Sequence, residues 1–321
     1  MSYTGPEFAP HQPRRSPLRR PLTVALAALV PGALLGWGVY AAVGAPGGDG
    51  GTDRAAAAGT ASPAPAATPA SPATGTRPAS PRDDAKDPAA TPAAPAPASL
   101  KGKVVVIDPG HNPANFQYPT EINRKVDVGT HWKECDTTGT ATNAGYTEAR
   151  FTLDVAHRLR DLLQEQGATV KLTQDGDREY GPCVDERARI GNEARADAAI
   201  SIHADGSAAG NRGFHVILPG AVHQGAADTR AIVAPSADLG QRVADGFGRE
   251  TGTAPANYLG GGTGLVTRTD LGGLNLSTVP KVFLECGNMR DAQDEALLTD
   301  GAWRQKAAQG ISEGIVSFLR G

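Results

Sequence analysis

Short apolar runs alternate with amphipathic stretches in the last two thirds of the chain. Residues 103–108 form a β-branched run that ends at a Pro-Gly pair, which is typical of a buried strand followed by a turn. Similar strand patterns occur at 168–173, 198–203, 213–218 and 281–286, with helical patterns at 146–166, 184–196, 236–251 and 302–319. This alternation predicts a single α/β domain with a mostly parallel or mixed central sheet and helices on both faces.

Polar side chains follow the carboxyl ends of three predicted strands. The first strand leads to His111, the third ends at His203, and the last contains Glu285. In open α/β sheets, ligands bind at the edge where the strands end. A lone histidine at a strand end is more often a hydrogen-bonded structural residue, but two histidines and a glutamate at one sheet edge favour a functional site.

The helical pattern at 146–166 places a carboxylate on its apolar side. Its apolar stripe includes Val155 and Leu159, and backward steps of three and four residues lead through Thr152 to Glu148. A buried carboxylate is costly unless it is paired or bound to a metal ion. The alternative is an exposed first turn with Glu148 as an ordinary helix-start acid, and the stripe alone leaves both interpretations open.

His111, Glu148 and His203 together offer two imidazoles and one carboxylate. Catalytic zinc sites use such sets of three protein ligands and leave a fourth position for water. These three residues are widely separated along the chain. Their spacing is therefore weak evidence for a metal site unless the surrounding sequence supports it.

The surrounding motifs provide that support, from about residue 103 to residue 319. They are Val106-Ile-Asp-Pro-Gly-His111, Glu148 at a helix start, Arg187-Ala-Arg-Ile-Gly-Asn192, Ala198-Ala-Ile-Ser-Ile-His-Ala-Asp205, the segment 270–280, and Phe283-Leu-Glu-Cys-Gly-Asn288. With them the sequence resembles the zinc-dependent N-acetylmuramoyl-L-alanine amidases of type 3, which are peptidoglycan hydrolases with a mixed sheet flanked by helices. The resemblance implies that His111, Glu148 and His203 bind Zn²⁺ and that Glu285 is the catalytic glutamate.

The same resemblance implies hydrolysis of the amide bond between N-acetylmuramic acid and L-alanine, in wall remodelling or cell separation. Two alternatives remain open: a zinc carboxypeptidase that acts on wall peptides, and a catalytically degenerate domain that binds the wall or acts as an adaptor that recruits a partner. Two features depart from the family pattern. Asp205 stands where many members have asparagine, which is expected to change loop hydrogen bonds, and the shape of segment 112–145 is not implied.

Four other polar residues near these motifs are candidates for structural or supporting roles. Asp108 could accept a hydrogen bond in the outer part of the metal site, or it could cap the turn that follows it. Arg187 is expected to anchor its helix, or to pair with an acid near the site. His215 follows Phe214 in a predicted strand and is expected to be structural, whereas His131 is a candidate for substrate contact.

Three cysteines occur in a part of the chain that is expected to be exported. Cys286 follows Glu285 in a strand, so its side chain should point to the opposite face and be buried. Cys135 and Cys183 lie in loop-like segments, and we predict a disulfide bond between them; the alternative is three free thiols.

The amino-terminal third has a different pattern. Residues 1–21 include four arginines, residues 22–43 form an uncharged apolar run, and residues 44–99 are rich in Ala, Pro, Thr and Ser. The apolar run is long enough to span a bilayer, which favours a signal anchor, although a cleaved signal peptide remains open. Residues 44–99 are predicted to be a disordered linker. The protein is thus expected in the cell envelope, on the extracytoplasmic side, either anchored or secreted after cleavage.

Composition and charge separate the same two parts. The first 100 residues contain 17 of the 25 prolines and 4 of the 16 aromatic residues, so they are too rich in proline and too poor in aromatic residues to build a core. Residues 101–321 carry 23 basic and 28 acidic residues, and this acidic balance argues against a nucleic-acid partner. The single long apolar run argues against a polytopic membrane protein. Residues 100–321 are therefore expected to be one catalytic domain that acts as a monomer.

Overall fold

The computed structural model describes residues 99–321 of the chain. The predicted basic segment 1–21, the predicted signal anchor or signal peptide 22–43 and nearly all of the predicted linker 44–99 lie outside the described residues. Within 99–321, no helix combines the length and the apolar character that crossing a membrane requires. The described part contains all of the predicted catalytic domain.

A six-stranded sheet forms the centre of this part. The strands, in chain order, are β1 (Val104–Pro109), β2 (Lys125–Asp127), β3 (Trp132–Glu134), β4 (Thr169–Leu172), β5 (Ala198–Asp205), β6 (His215–Pro219), β7 (His223–Gln224), β8 (Ala227–Asp228), β9 (Leu265–Arg268) and β10 (Lys281–Asn288). The central sheet has the order β4-β1-β5-β10-β6-β9, and neighbouring strands are parallel except β10 and β6, which are antiparallel. The predicted mixed sheet is therefore confirmed.

Helices cover both faces of this sheet. They are α1 (Pro119–Ile122), α2 (Glu148–Glu165), α3 (Val184–Glu193), α4 (Val233–Thr251), α5 (Gly272–Asn275), α6 (Ala292–Thr299) and α7 (Gly301–Arg320). The strands alternate their side chains between the two faces. In β1, Val105 and Ile107 join the large core formed with α2, α4 and α7, whereas Val106 faces the smaller cluster beside α3. Helix α5 packs on that second face, against Ile217 and Phe283.

The alternation in β10 brings a functional residue to the second face. Lys281, Phe283 and Glu285 lie on the face that α3 and α5 cover, while Val282 and Leu284 enter the large core. The side chain of Cys286 points to the same face as Val282 and Leu284 and is buried in the large core, as the sequence predicts. Cys286 is a free thiol. Residues of β1, β5 and β6 on the second face therefore share that face with Glu285.

The segment between β1 and α2 is held to the domain by the predicted disulfide bond. Cys135 and Cys183 are bonded, and their side chains pack with Val126, Val128 and Val184 in a small buried cluster. The bond closes a loop with a sequence separation of 48. A loop of this length is expected to stabilise the folded state by about 4 kcal/mol through the lost entropy of the unfolded chain.

Some elements differ from the sequence pattern. The predicted helix 302–319 is α7, and a separate helix, α6, precedes it because Asp291 and Asp300 each cap a helix start with their side chains. Strand β9 and the hairpins β2–β3 and β7–β8 are not predicted. Each of these strands has four residues or fewer and is partly exposed, so none produces a clear hydrophobic period.

Candidate metal centre

Three predicted ligands meet where β1 and β5 end. His111 follows β1, Glu148 is the first residue of α2, and His203 lies near the end of β5. One ligand atom from each lies within 4.8 Å of the others, and all three side chains are buried. The buried interpretation of Glu148 is thus confirmed, and within residues 99–321 these three residues form a group that could hold a metal ion.

The Glu148 carboxylate lies between the two imidazoles. Its Oε2 atom is 3.1 Å from Nε2 of His111, and its Oε1 atom is 2.8 Å from Nδ1 of His203. The backbone amide of Thr140 also donates to Oε2, over 2.9 Å. Burial would raise the pKa of Glu148, but the adjacent His111 and His203 outweigh it and hold that pKa well below its usual range. The carboxylate is therefore kept in the charged form that a metal ligand needs.

The orientation of His111 fits metal binding. Its Nδ1 atom lies 3.0 Å from the carbonyl oxygen of Thr137, so the other ring nitrogen faces Glu148. A metal-binding histidine commonly donates its remote N–H to a carbonyl in this way, which fixes the ring and the tautomer. His111 has a φ of 63°, an uncommon value for a residue with a side chain. Because one nitrogen of His111 is held by a carbonyl oxygen and the other faces Glu148, the residues present fit a bound metal ion.

His203 is held by close packing on both sides of its ring. Phe283 stacks on it with ring centres 4.0 Å apart and an angle of 14° between the planes. On the other side, a Cβ atom at position 110 would lie only 2.2 Å from Cε1 of His203, so Gly110 is needed for the ring to occupy this position. The packing leaves little freedom for His203 to turn away from Glu148.

Glu285 lies beside the three ligands in β10. It pairs with His203 of β5 in the sheet register, and its side chain is 5% exposed. Among the described residues, its Oε2 atom is buried without a hydrogen-bond partner. Burial raises the pKa of Glu285 well above its ordinary value, and the carboxylates of Asp205 and Glu148 raise it further. A buried carboxyl group with a raised pKa is suited to accepting and returning a proton.

Asp205, the departure from the family pattern, makes the loop contacts that the sequence predicts. Its Oδ1 atom accepts from the backbone amide of Gly206 over 2.7 Å, and its Oδ2 atom accepts from the hydroxyl of Tyr258 over 2.7 Å. Both carboxylate oxygens therefore have donors. The contact with Tyr258 also ties the loop before β9 to the end of β5.

The two further candidates, Asp108 and Arg187, belong to a buried ionic network behind the ligands. The guanidinium of Arg187 lies 2.8 Å from Asp108 and 2.9 Å from Asp136, and Lys281 lies 3.1 Å from Asp108. Asp136 is in turn 3.4 Å from Nδ1 of His111. Arg187 therefore pairs with acids near the site as well as anchoring its helix.

Asp108 takes part in this network instead of capping the following turn. Besides the two cations, it accepts hydrogen bonds from Thr173 over 2.7 Å and Ser201 over 2.6 Å. The turn amide of Gly110 donates to a backbone carbonyl, that of Ile202. Burial would raise the pKa of Asp108, but Lys281 and Arg187 outweigh it and hold that pKa far below its usual range.

The sequence candidate for substrate contact lies outside this centre. His131 is exposed in the turn of the β2–β3 hairpin and is not part of the ligand group. Sequence reasoning missed Asp136, Lys281 and Phe283. For Lys281 and Phe283 a signal existed, since every second residue of a strand shares a face with Glu285. Asp136 lies in an irregular segment that carries no such period.

Known proteins with similar sequences and structures share this arrangement of elements. The family described as N-acetylmuramoyl-L-alanine amidase matches residues 105–317. An N-acetylmuramoyl-L-alanine amidase of Mycobacterium tuberculosis is 40% identical over 237 residues, which cover 73% of this chain and 94% of that protein. The crystal structure of the amidase Ami1 from Mycobacterium smegmatis is 39% identical, with a TM-score of 0.63, and covers 69% of this chain and 99% of that one. Ami1 from Mycobacterium abscessus is 41% identical, with a TM-score of 0.62 and coverage of 68% and 99%.

Proposed function

The chain belongs to the N-acetylmuramoyl-L-alanine amidase family, and we propose that it hydrolyses peptidoglycan with the help of a zinc ion. The bond cleaved is the amide that joins the lactyl group of N-acetylmuramic acid to L-alanine of the stem peptide. One observation carries this proposal: a buried carboxylate, Glu148, lies between two imidazoles, and one of these, His203, is paired in the sheet with a second buried carboxyl group, Glu285. Two imidazoles and one carboxylate are a common ligand set of catalytic zinc.

His111, Glu148 and His203 would hold the ion, and the fixed rings of the two histidines limit where it can bind. When bound, zinc supplies polarisation of the scissile carbonyl and activation of water. Glu285, which is paired with His203 in the sheet, would be the proton acceptor beside these ligands.

Glu285 transfers the proton in this mechanism. Its carboxylate accepts a proton from the attacking water and returns it to the amine of L-alanine as the carbon–nitrogen bond breaks. The products are a free lactyl carboxylate on the glycan and a peptide with a free L-alanine amino group. The raised pKa of Glu285 favours holding the proton between the two steps.

Product analysis with the full chain tests this function. We expect digestion of purified peptidoglycan to release peptides that begin with L-alanine and to leave glycan with free lactyl groups, as measured by mass spectrometry. A chelator should abolish release, and added zinc should restore it. His111→Ala should lose metal and activity together, whereas His157→Ala, on the surface of α2, should retain both.

Each other outcome would contradict the proposal in its own way. Release of D-alanine alone would identify a carboxypeptidase. Binding to the wall without any release would identify a degenerate binding domain. Activity that is unaffected by the chelator and by His111→Ala would remove the metal centre from the mechanism.

The amino-terminal sequence extends the proposal to location. The four arginines and the apolar run 22–43 would anchor the chain in the membrane, and residues 44–99 would let the catalytic domain reach the wall. We expect the full chain to fractionate with membranes and deletion of residues 1–43 to abolish that association. A secreted protein whose amino terminus lies near residue 44 would show instead that the run is a cleaved signal peptide.

A further inference from the structure

His215 lies opposite Glu285 across two strands of the central sheet. Strands β6 and β10 are antiparallel, and their register pairs these two residues directly. Directly opposed residues point to the same face of a sheet with Cβ atoms about 5 Å apart. The same face carries His203, which pairs with Glu285 from the other side. His215, Glu285 and His203 therefore form a row across three neighbouring strands.

Both members of the pair have unused hydrogen-bonding capacity. The side chain of His215 is 3% exposed, and its Nδ1 atom is buried without a partner among residues 99–321. The Oε2 atom of Glu285 is in the same state. A buried polar atom without a hydrogen bond destabilises the folded state. Two such atoms on paired residues indicate that each can be the partner of the other after a small side-chain rotation.

Two other groups in the surroundings of Glu285, Asp205 and Tyr258, already have hydrogen-bond partners. Both carboxylate oxygens of Asp205 have donors, from Gly206 and Tyr258. The ring of Tyr258 also meets the ring of His215 edge-on, with centres 6.0 Å apart, so it limits where the imidazole can move. His215 is therefore the neighbour of Glu285 that is both confined and free to form a hydrogen bond.

The imidazole can serve Glu285 in both of its protonation states. Burial, with a smaller effect from Arg268, lowers the pKa of His215 to about 4, so the ring is neutral near neutral pH. A neutral imidazole has one nitrogen that donates and one that accepts, and the two tautomers exchange these roles. Nδ1 can donate to an ionised carboxylate or accept from a protonated carboxyl group.

We propose that His215 is a positioning residue for Glu285: its Nδ1 atom forms a hydrogen bond with the Glu285 carboxyl group during turnover and sets the direction in which that group faces the reacting atoms. This inference rests on the proposed role of Glu285 in proton transfer. It goes beyond the sequence-based expectation that His215 is a structural strand residue. The proposal comes from the antiparallel pairing of β6 with β10, which the sequence does not show.

The test compares three substitutions of His215 in the full chain. Asparagine can place its amide close to the position of Nδ1, glutamine places its amide farther out, near Nε2, and leucine has no polar group. We expect His215→Leu and His215→Gln to lower kcat by about 10- to 100-fold with KM changed by less than about threefold. His215→Asn should keep kcat within about fivefold of the parent, and zinc content should stay unchanged in all three.

Several results would overturn the proposal. Equal kcat for the asparagine and leucine variants, or a loss confined to KM, would assign His215 a structural or substrate-binding role. If leucine prevents folding, the ratio of kcat between the asparagine and glutamine variants decides, and a ratio near one rejects the proposal. His157→Gln provides the matched control. Activity of the parent in the product analysis keeps this test separate from that of the proposed function.

Discussion

Glu285→Gln is expected to lower kcat by about 10²- to 10⁴-fold while the zinc content of the protein stays unchanged. The amide has nearly the shape of a protonated carboxyl group, but it cannot accept a proton from water or return one to the leaving amine. Glu285 is not one of the three ligands, so the metal centre should remain intact. The expected result is a folded, metal-loaded protein with almost no turnover.

Two measurements check this expectation. Metal analysis should give the same zinc stoichiometry for parent and variant, and single-turnover assays on purified wall should show the loss in the chemical step. Glu165→Gln, at the exposed end of α2, is a matched control that should retain full activity. A parallel fall in zinc content and activity would show that Glu285 supports the metal, and undiminished activity would show that another group transfers the proton.

The glutamine should fold because its surroundings already favour a neutral group. Burial raises the pKa of Glu285 well above its ordinary value, with further contributions from Asp205 and Glu148, so these surroundings favour the neutral form of the group. An uncharged amide at this position adds no buried charge. The substitution therefore separates chemistry from stability more cleanly than a substitution by alanine, which would leave a cavity.

Regular periods in the sequence indicated the candidate residues of the centre, and the family resemblance selected them as one set. His111, His203 and Glu285 lie at strand ends, and Glu148 continues an apolar stripe with a step of three or four residues. Residues that depend on pairing between distant strands could not be found in this way. The role of His215 depends on the antiparallel register of β6 with β10, and only the fold specifies that register.

The ionic network is a second example of this limit. Arg187 is recognisable in a helix motif, but its partners Asp108 and Asp136 are 79 and 51 residues away in sequence. Asp136 directly follows a disulfide-bonded cysteine in a segment without a regular period. Spacing along the chain does not predict such long-range contacts. In the fold, Cys135, next to Asp136, is bonded to Cys183, which directly precedes α3.

Arg187→Met is expected to reduce the free energy of unfolding by about 3–5 kcal/mol. The guanidinium is buried and lies 2.8 Å and 2.9 Å from the carboxylates of Asp108 and Asp136. It also donates to the carbonyl oxygens of Pro109 and His111, over 2.6 Å and 3.0 Å. Methionine fills much of the volume but leaves Asp136 without its main compensating charge. Urea unfolding of parent and variant measures the difference.

Two further variants separate the cause from a general loss of packing. Arg189→Met, two residues along the same helix, removes an exposed arginine paired with Glu193 and should leave the midpoint of urea unfolding nearly unchanged. Adding Asp136→Asn to Arg187→Met should restore part of the lost stability, because it removes a charge that the first substitution leaves uncompensated. If Arg187→Met costs less than about 1 kcal/mol, or if the second substitution makes the loss larger, the network does not stabilise the fold through charge pairing. The role of the network would then be limited to orienting His111, which lies beside Asp136.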